Sequence, residues 1–355
     1  MQQALTLAAK ATMATSPNPR VGCVIVKGGE ILGQGYTQPV GRAHAEVMAL
    51  RDADSRGEDV RGATAYVTLE PCSHFGRTPP CANALIEAGV ARVVAALEDA
   101  NPQVAGRGFA LLRDAGIVVE HGLMAHDARE MNLGFFKRME TGKPWVRLKM
   151  AASLDGFTAL PNGQSQWITD ALAREDGHRW RARADAIITG IGTVLADDPN
   201  MNIRLPEGSV HQPRKFVLDA HLRTPVKAKI LSGAPTTIVH SLRDEQLESA
   251  LLQAGAHLLC LPAEQGQIDL PALMLALGAQ HINEVHLEAG AKLSGAFITA
   301  HCVDELIVYL APKLLGVGMP MFALPALQTV AQASQLNVID VRQVGAAIRI
   351  VARTE

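Results

Sequence analysis

The sequence predicts an α/β protein built from two successive domains. Its 355 residues exceed what one hydrophobic core usually serves. Strand-like β-branched runs alternate with helical stretches through both halves, as in layered α/β proteins. A polar, turn-forming break at residues 141–144 interrupts this alternation. We therefore predict one domain over residues 1–143 and a second over residues 144–355.

The composition limits the classes of binding partner and the cellular compartment that we expect for this protein. A formal net charge of −2 gives no basic surface for duplex nucleic acid, and 4% aromatic residues leave few rings for stacking single-stranded bases. No apolar run approaches the ~20 residues that a membrane helix needs, and the N-terminus lacks a signal-peptide pattern. Five cysteines, an odd number in a long chain, indicate a reducing compartment. We expect a cytoplasmic protein with no nucleic-acid or membrane partner.

The first domain opens with an alanine- and leucine-rich helix over residues 4–14. Two strand-like runs flank the turn Lys27-Gly28-Gly29-Glu30, which predicts a hairpin over residues 21–26 and 31–36. Beyond it we predict strands over residues 63–69, 90–97 and 117–120, and helices over residues 43–51, 81–88 (closed by Gly89), 108–115 and 125–139. The domain is therefore expected to hold about five strands in a mixed layer.

The second domain alternates in the same way after the break. We predict strands over residues 145–151, 186–189, 215–218, 237–240, 285–288, 305–310 and 347–351, and helices over residues 170–182, 244–254, 270–279 and 293–300. No G-x-G-x-x-G motif follows the first of these strands, so a Rossmann dinucleotide site is not indicated.

A candidate metal site carries the chemistry of the first domain. His44-Ala45-Glu46 precedes Pro71-Cys72 and Cys81, an arrangement typical of zinc deaminases. One imidazole and two thiolates bind zinc and leave its fourth position open for water, whose pKa the metal lowers. Glu46, two residues beyond the histidine, can carry protons without binding the metal. The pattern predicts hydrolytic removal of an amine from a pyrimidine-like ring.

The spacing of the two cysteines leaves alternatives open. The usual motif is P-C-x-x-C, whereas eight residues separate Cys72 from Cys81. On spacing alone both thiols could be ordinary buried cysteines and His44 a surface histidine. His74, inside the insert, is a rival ligand, and a fourth protein ligand would make the zinc structural.

The insert resembles a family signature. Residues 71–81, read PCSHFGRTPPC, are similar to the bifunctional riboflavin-biosynthesis deaminase/reductases, as are residues 16–22, 41–46 and 101–108. Ala100 departs from the proline that members often carry. The resemblance covers essentially the whole chain. It implies a cytidine-deaminase-like three-layer domain followed by a dihydrofolate-reductase-like domain.

The resemblance also implies site residues for the deaminase. It implies one Zn²⁺ held by His44, Cys72 and Cys81, with Glu46 as the proton shuttle. It also implies a contact from Asn18 to a substrate amide. His74 and Arg77, beside the metal motif, are candidates for binding the ribose phosphate of the substrate, because an arginine can form two hydrogen bonds to phosphate. The alternatives are a turn residue between prolines for Asn18 and a solvated loop for the insert.

For the second domain, residues 149–156, 165–169, 192–199 and 288–295 resemble the family's reductase half. The last segment also suggests a phosphate site independently of the resemblance, because a strand followed by a small-residue turn and a helix exposes backbone N–H groups to a diphosphate. Such turns are also common without a ligand. The resemblance places NADPH along Ala151, Trp167, Thr193, Asp197, Gly290, Ala291, Lys292, Leu293, Ser294, Gly295 and Ala296.

The implied reductase substrate lies near Ser165, Arg181, Met201, Arg204 and Glu288. Arg181 and Arg204 are the natural phosphate partners, although Arg181 could lie on a solvated helix face and Trp167 in the core. Lys149 and Asp197 are candidates for moving a proton. Cys23, Cys260 and Cys302 are predicted to be core thiols.

These observations predict one enzyme with two activities. The first domain would deaminate 2,5-diamino-6-(5-phosphoribosylamino)pyrimidin-4-one, and the second would reduce the ribosyl side chain to give 5-amino-6-(5-phosphoribitylamino)uracil. NADPH rather than NADH, and a homo-oligomer formed through the reductase domain, rest on the resemblance. The alternatives are another nucleoside or nucleic-acid deaminase with a noncatalytic C-terminal domain, and a binding module with structural zinc.

Overall fold

The computed structural model describes residues 1–11, 15–73, 80–102, 104–206, 211–264 and 266–354. The chain forms two compact units, Met1–Gly142 and Lys143–Glu355. Within the described ranges, every helix is too short or too polar to cross a membrane.

The first unit contains five strands and six helices in its described residues. In chain order they are α1 (Gln2–Ala8), β1 (Gly22–Lys27), β2 (Glu30–Tyr36), α2 (Ala45–Ser55), β3 (Thr64–Val67), α3 (Cys81–Glu87), β4 (Arg92–Ala95), α4 (Arg107–Asp114), β5 (Val118–His121), α5 (Ala125–Met131) and α6 (Leu133–Thr141). The sheet order is β2-β1-β3-β4-β5. β1 runs antiparallel to both neighbours, whereas β3, β4 and β5 are parallel.

The predicted hairpin is confirmed, and the backbone conformation of its turn explains why glycine occupies both central positions. Lys27 pairs with Glu30 across the turn, and Gly28 and Gly29 have φ values of 59° and 89°. Two successive positive φ angles match the twist of paired strands and suit glycine best. The predicted count of five strands is also confirmed.

Two glycines on β2 let α2 approach the sheet closely. A Cβ added at Gly33 would lie 2.1 Å from the carbonyl oxygen of Ala49, and one at Gly35 would lie 2.5 Å from its nitrogen. Neither position can hold a larger residue without moving the helix. This packing fixes the start of α2, where His44 is the N-cap.

Two predicted helices of the first unit need correction. The N-terminal helix ends at Ala8 rather than continuing toward residue 14. The predicted helix over residues 125–139 is two helices, which meet at Asn132 with φ −128° and ψ 30°. The helix breaks because the Asn132 side chain binds the backbone of Arg20 instead of pointing to solvent.

The second unit is built on a nine-stranded sheet. Its elements are β6 (Trp145–Ser153), β7 (Phe157–Ala159), α7 (Ala171–Arg181), β8 (Ala186–Gly190), α8 (Ile191–Asp197), β9 (Arg214–Leu218), β10 (Thr236–His240), α9 (Glu245–Gln253), β11 (His257–Cys260), β12 (Ala263–Glu264), β13 (Gln267–Ile268), α10 (Leu270–Ala279), β14 (Glu284–Leu287), α11 (Ala291–Thr299), β15 (Glu305–Ala311), β16 (Met319–Pro320), β17 (Leu336–Val344) and β18 (Ala347–Thr354).

The large sheet has the order β11-β10-β9-β8-β14-β6-β15-β18-β17. The seven strands from β11 to β15 are parallel, and β18 runs antiparallel to both of its neighbours. The carboxyl ends of the parallel strands therefore share one edge. In open α/β sheets, ligands bind beyond that edge.

All seven predicted strands of the second domain are present, as are the four predicted helices with small shifts at their ends. Helix α8 and six strands, β7, β11, β12, β13, β16 and β17, lie where no element was predicted from the sequence. Apolar and polar residues of β17 alternate over residues 336–338 and again over residues 339–342, but the two runs are out of phase because the register shifts between Val338 and Asp340. No single period of two therefore extends along the strand.

Candidate functional site

Three side-chain atoms of the kinds that bind zinc meet at one end of the first unit. His44 precedes α2, Cys72 follows β3 in a loop, and Cys81 is the first residue of α3. The Nδ1 atom of His44 lies 3.7 Å from Cys72 Sγ and 3.4 Å from Cys81 Sγ. All three donor atoms lie within 4.8 Å of one another. One nitrogen and two sulfurs at this separation suit zinc and leave a coordination position for a non-protein ligand.

The cluster favours a thiolate through its own hydrogen bonds. The Cys72 sulfur accepts from the Cys81 thiol, from the ring of His44 and, at 3.3 Å, from the backbone N–H of Cys81. These contacts lower the pKa of Cys72 to about 4. The hydrogen bond with Cys72 likewise raises the pKa of His44. A thiolate is the form in which cysteine binds a metal.

Glu46 is buried beside the cluster on the first turn of α2. Its exposed fraction is 3%. Burial, followed by the charge of Cys72, raises the pKa of Glu46 to about 7. A carboxyl group with this pKa can take up and release a proton near neutral pH, which is what a general acid–base residue needs.

Glu70 was missed by the sequence analysis, and it organises the loop around the cluster. Its buried carboxylate accepts backbone hydrogen bonds at 2.8–3.2 Å from Asp99, Gly106, Gly108 and Phe109. It thereby holds the start of α4 against the segment that carries Cys72. The available signal was an acidic residue at the end of an apolar strand.

Asn18 lies in a segment anchored by the last helices of the unit. The Asn132 side chain accepts from the Arg20 nitrogen at 2.8 Å and donates to the Arg20 oxygen at 2.9 Å. The backbone N–H of Asn18 itself donates to Thr15 at 2.9 Å. His74 and Arg77 lie outside the described residues.

In the second unit, Arg181 and Glu288 form a two-point ion pair. Nε lies 2.5 Å from Oε1, and Nη2 lies 2.8 Å from Oε2. Arg181 Nη1 donates to the carbonyl oxygen of Asn202 at 2.9 Å, and Nη2 lies 3.9 Å from the sulfur of Met201. The side chain of Arg181 is only 13% exposed. The alternative that it lies on a solvated helix face is wrong.

Other polar groups surround this pair. His286 Nε2 lies 3.1 Å from Glu288 Oε1, and the Arg181 charge holds the pKa of Glu288 well below its usual range despite burial. Burial lowers the pKa of Lys149, whereas the Glu288 charge opposes that change. The backbone N–H of Arg204 lies 3.3 Å from His178 Nδ1, and its side chain donates to Asn202 at 2.9 Å. Arg181, Met201, Arg204 and Glu288 are therefore linked in one network.

The segment at the start of α11 contains both solvent-exposed and buried residues. Gly290 and Lys292 are exposed, whereas Ser294 and Gly295 are buried. The Ser294 hydroxyl donates to Ala289 at 3.2 Å. A Cβ at Gly295 would lie 2.1 Å from the carbonyl oxygen of Ala323. A ligand could thus meet the first turn of the helix, while the deeper residues pack against the protein.

The remaining predicted residues lie near the same sheet edge or on its loops. Trp167 is 62% exposed, so the alternative that it is a core residue is wrong. The Arg174 guanidinium lies 4.4 Å from its ring centroid. Ser165 is half-buried in the loop before Trp167, Ala151 lies on β6, and Thr193 and Asp197 lie on α8, Asp197 being exposed. Cys23 and Cys302 are buried as predicted, but Cys260 is only half-buried.

Taken together, a nitrogen–sulfur metal cluster with a buried glutamate, and a largely parallel sheet with a polar network at its carboxyl edge, define a zinc-dependent deaminase joined to a reductase. Family models agree with this class. The "cytidine and deoxycytidylate deaminase zinc-binding region" matches residues 1–97, and the "RibD C-terminal domain" matches residues 144–349.

Relatives match along both units. The riboflavin biosynthesis protein RibD of Escherichia coli K12 is 49% identical over 358 residues, covering 97% of this chain and 96% of the relative. That of Haemophilus influenzae is 45% identical, covering 99% and 95%. The solved structure of Acinetobacter baumannii RibD superposes with a TM-score of 0.91 at 43% identity, covering 100% of this chain and 97% of that one.

The chain belongs to the RibD family of bifunctional riboflavin-biosynthesis enzymes. It is a deaminase and reductase whose cofactors are zinc and NADPH. The expected fold, a cytidine-deaminase-like domain followed by a dihydrofolate-reductase-like domain, is confirmed. The alternative of a deaminase with a noncatalytic second domain is not favoured, because both halves match the same family.

Proposed function

We propose that residues 1–143 deaminate a phosphoribosylamino-pyrimidine and that residues 144–355 then reduce its ribosyl side chain. The substrates are those named for a Thermotoga maritima relative, a diaminohydroxyphosphoribosylaminopyrimidine deaminase and 5-amino-6-(5-phosphoribosylamino)uracil reductase. Its structure superposes with a TM-score of 0.90 at 31% identity, over 100% of this chain. The observation that carries the proposal is the meeting of His44, Cys72 and Cys81 beside buried Glu46.

In the deaminase, His44, Cys72 and Cys81 would hold the zinc ion. When bound, zinc supplies a nucleophile near neutral pH by lowering the pKa of water. The Glu46 carboxylate would accept the proton released by that water and deliver it to the ring nitrogen. It would then carry a second proton, from the hydroxyl added to the ring carbon, to the amine, which departs as ammonia. A pKa of about 7 allows both transfers at one oxygen.

Substrate positions in the deaminase follow from the anchored loop. Asn18 would contact a ring amide, since Asn132 fixes the loop on which it lies. His74 and Arg77 would contact the ribose phosphate. Glu70 would keep the Cys72 segment in place, which makes it a positioning residue.

In the reductase, NADPH supplies the hydride to the ribosyl carbon. The chain must orient the two reacting carbons and move a proton to the ribose oxygen. Lys149 Nζ would donate that proton, with exposed Asp197 as the second candidate. Glu288 would orient Lys149 through charge, Ser165 and Met201 would line the substrate, and Arg204 would bind its phosphate. Arg181 would approach the substrate only as the partner of Glu288, because their two hydrogen bonds hold its guanidinium.

For the cofactor we propose a path along the carboxyl edge of the sheet. Its diphosphate would lie at the first turn of α11, on the backbone of Gly290, Ala291, Lys292 and Leu293. Ser294, Gly295 and Ala296 would shape that turn from beneath. The nicotinamide half of NADPH would lie along Ala151 and Trp167. Thr193 would contact the adenosine half.

We also propose a cytoplasmic homo-oligomer. The five cysteines, all within the described residues, form no disulfide with one another, in keeping with a reducing compartment. The last two strands of the reductase sheet and the turn before them expose several large apolar side chains, and neighbouring exposed apolar side chains are typical of interaction surfaces. These are Val330, Leu336, Val338, Ile339, Val341 and Ile348. Sedimentation of the purified chain and of Val338→Lys would test this surface: the variant should be smaller, and an unchanged mass would refute the placement.

One experiment tests the proposed function directly. Bound zinc is measured on the purified chain, and turnover of the pyrimidine substrate is followed with and without NADPH. Ammonia should be released in both cases, and NADPH should be oxidised only after ammonia has been released. Oxidation of NADPH without deamination would contradict the order of the two steps.

A further inference from the structure

One buried histidine of the second unit takes no part in the mechanism proposed so far. His286 lies on β14 and is 1% exposed. Its Nε2 atom lies 3.1 Å from Oε1 of Glu288. Its other ring nitrogen, Nδ1, is buried and has no hydrogen-bond partner among the described residues. Within the described part of the chain, the polar contact of this ring is therefore with Glu288.

The charge of Glu288 determines which nitrogen of His286 carries the hydrogen. Although burial opposes ionisation, the charge of Arg181 holds the pKa of Glu288 well below its usual range, so the carboxylate only accepts hydrogen bonds. The Nε2 atom must then be the donor. Burial lowers the pKa of His286 itself, against the effect of its hydrogen bond to Glu288. The ring is therefore a neutral donor, which adds a hydrogen bond to the site without adding a charge.

The register of the sheet places this carboxylate beside Lys149. Strands β14 and β6 are parallel, with Leu287 opposite Leu148. One residue further along each strand, Glu288 and Lys149 are therefore neighbours. Because side chains alternate between the two faces of a sheet, His286 lies on the same face as both of them.

The carboxylate of Glu288 is held from two sides. From α7, Arg181 donates to both of its oxygens, at 2.5 and 2.8 Å. From the sheet, His286 donates to one of them. The two-point pair alone could shift with α7 as a unit. The third hydrogen bond ties the carboxylate to the sheet on which Lys149 lies.

The neighbouring charges make Glu288 the anion that acts on Lys149. Charged and titratable groups face Lys149 and His286 from β14, β6, α7, β15 and the loop after α8, and they are Glu288, Arg147, His178, Arg181, Tyr309 and Arg204. Arg147 is itself paired with Glu284 and Glu305, and Tyr309 donates to Asp176 at 2.5 Å. Burial lowers the pKa of Lys149, the charge of Glu288 opposes this, and the charge of Arg181 adds to it.

We propose that His286 is a positioning residue of the reductase. Its neutral Nε2–H group holds the Glu288 carboxylate to the sheet beside Lys149, so that Lys149 stays an ammonium ion and donates its proton to the ribose oxygen. Because His286 is buried beneath Glu288, it acts through that residue and not on the substrate. The inference rests on the roles proposed above for Glu288 and Lys149.

The first test is the pH dependence of reduction, measured with the deaminated intermediate and NADPH. His286→Phe keeps a ring and removes the donor. Its kcat should fall about tenfold at alkaline pH, and the basic limb of kcat should move down by roughly one pH unit, because a displaced anion no longer raises the pKa of Lys149. The KM for NADPH should not change. A basic limb that stays in place would overturn the proposal.

A conservative variant and a packing control complete this test. His286→Gln offers an amide N–H in place of Nε2–H and should return the basic limb toward its original pH. Val285→Ala alters a fully buried neighbour on the opposite face of β14. It should lower thermal stability and leave the limb in place. An equal shift in Val285→Ala, or no recovery in His286→Gln, would mean that general packing is responsible.

The second test observes the hydrogen bond without turnover. The full-length, zinc-loaded protein is prepared with ¹⁵N-labelled histidine, and the ring signals missing from His286→Gln identify His286 among the 12 histidines. The ring should carry hydrogen on Nε2 and none on Nδ1 between about pH 6 and 8, although free histidine titrates there. A ring protonated on Nδ1 alone, or on both nitrogens, would overturn the proposal.

The outcomes separate this inference from the proposed function. An unmoved basic limb in an active His286→Phe enzyme would overturn the positioning role while the reductase stands. If the unaltered protein oxidises no NADPH with the intermediate supplied, the proposed reduction is refuted and with it the role of His286 in catalysis. The ring signals would then still decide whether His286 donates to Glu288.

Discussion

Arg181 and Glu288, 107 positions apart in the sequence, hold each other through two hydrogen bonds of 2.5 and 2.8 Å. Both side chains are largely withdrawn from water, at 13% and 14% exposure. Removing one member leaves a buried charge without a partner, whereas removing both does not. This makes the pair a structural element of the reductase as well as part of its site.

We expect Glu288→Gln to destabilise the second unit by about 3 kcal/mol. The double variant Arg181→Met/Glu288→Gln should be no less stable than Glu288→Gln alone. Trp145, Trp167 and Trp180 are the chain's three tryptophans, so fluorescence during urea unfolding reports on this unit. Simple addition of the two single effects would contradict the coupling. NADPH oxidation should be lost in both variants while ammonia release continues.

Glu46→Gln should abolish deamination and retain zinc. An amide of the same shape cannot accept and return the proton, so ammonia release should fall by roughly 10²–10⁴-fold. Metal analysis of the purified variant provides the check, with Glu87→Gln, an exposed glutamate on α3, as the control. Loss of zinc from Glu46→Gln would make Glu46 a ligand and end its assignment as proton carrier.

Glu70→Gln should weaken the first unit without touching a proposed ligand. The carboxylate accepts four backbone N–H groups, and an amide nitrogen would face some of them with donors of its own. A loss of about 1–3 kcal/mol is expected from the unsatisfied groups. Calorimetry should show a lower transition temperature for the first unit, and zinc affinity should fall. An unchanged transition would mean that the loop is held by other contacts.

His178 should make the second unit less stable as the pH falls. Burial, with the nearby Arg181 and Arg204 charges, lowers its folded pKa to about 4 from 6.5. Between these values the unfolded chain binds more protons, so the free energy of unfolding decreases as pH decreases through this window. His178→Asn, whose oxygen can accept from Arg204, should lose less stability between about pH 7 and about pH 5. Identical losses in the two proteins would refute this.

Removal of zinc should separate the two activities. Chelation should stop ammonia release and leave reduction of the deaminated intermediate intact, because the proposed ligands all belong to the first unit. It should also expose the thiols of Cys72 and Cys81 to alkylation. If chelation stops NADPH oxidation with the intermediate supplied, zinc serves the second unit as well.

The sequence predicted the elements better than the contacts between them. The hairpin, most strands and most helices could be predicted from hydrophobic periodicity and turn residues, because these signals lie within a few consecutive residues. The break at Asn132 could not, since its cause is Arg20, 112 positions away. Strand β17 alternates in two runs whose phase changes at the bulge between Val338 and Asp340, and that bulge depends on its pairing with β18.

The same limit applies to the sites. A motif can identify His44, Cys72 and Cys81 as candidate ligands, because their residue types and order suggest a metal site. No motif indicates that Glu70 accepts four backbone N–H groups or that Arg181 is neutralised by Glu288, because those partners meet only through tertiary packing.

The paired hydrogen bonds between Asn132 and Arg20 bear on how short a free-standing deaminase could be. A fragment cut after residue 97, where the deaminase family match ends, would keep every proposed zinc ligand. It would lack Asn132, and with it the anchor of the loop that carries Asn18. Such a fragment should bind metal and yet recognise its substrate poorly. We therefore expect the functional boundary of the deaminase to lie past Asn132, in a segment to which no zinc ligand and no proton carrier is assigned.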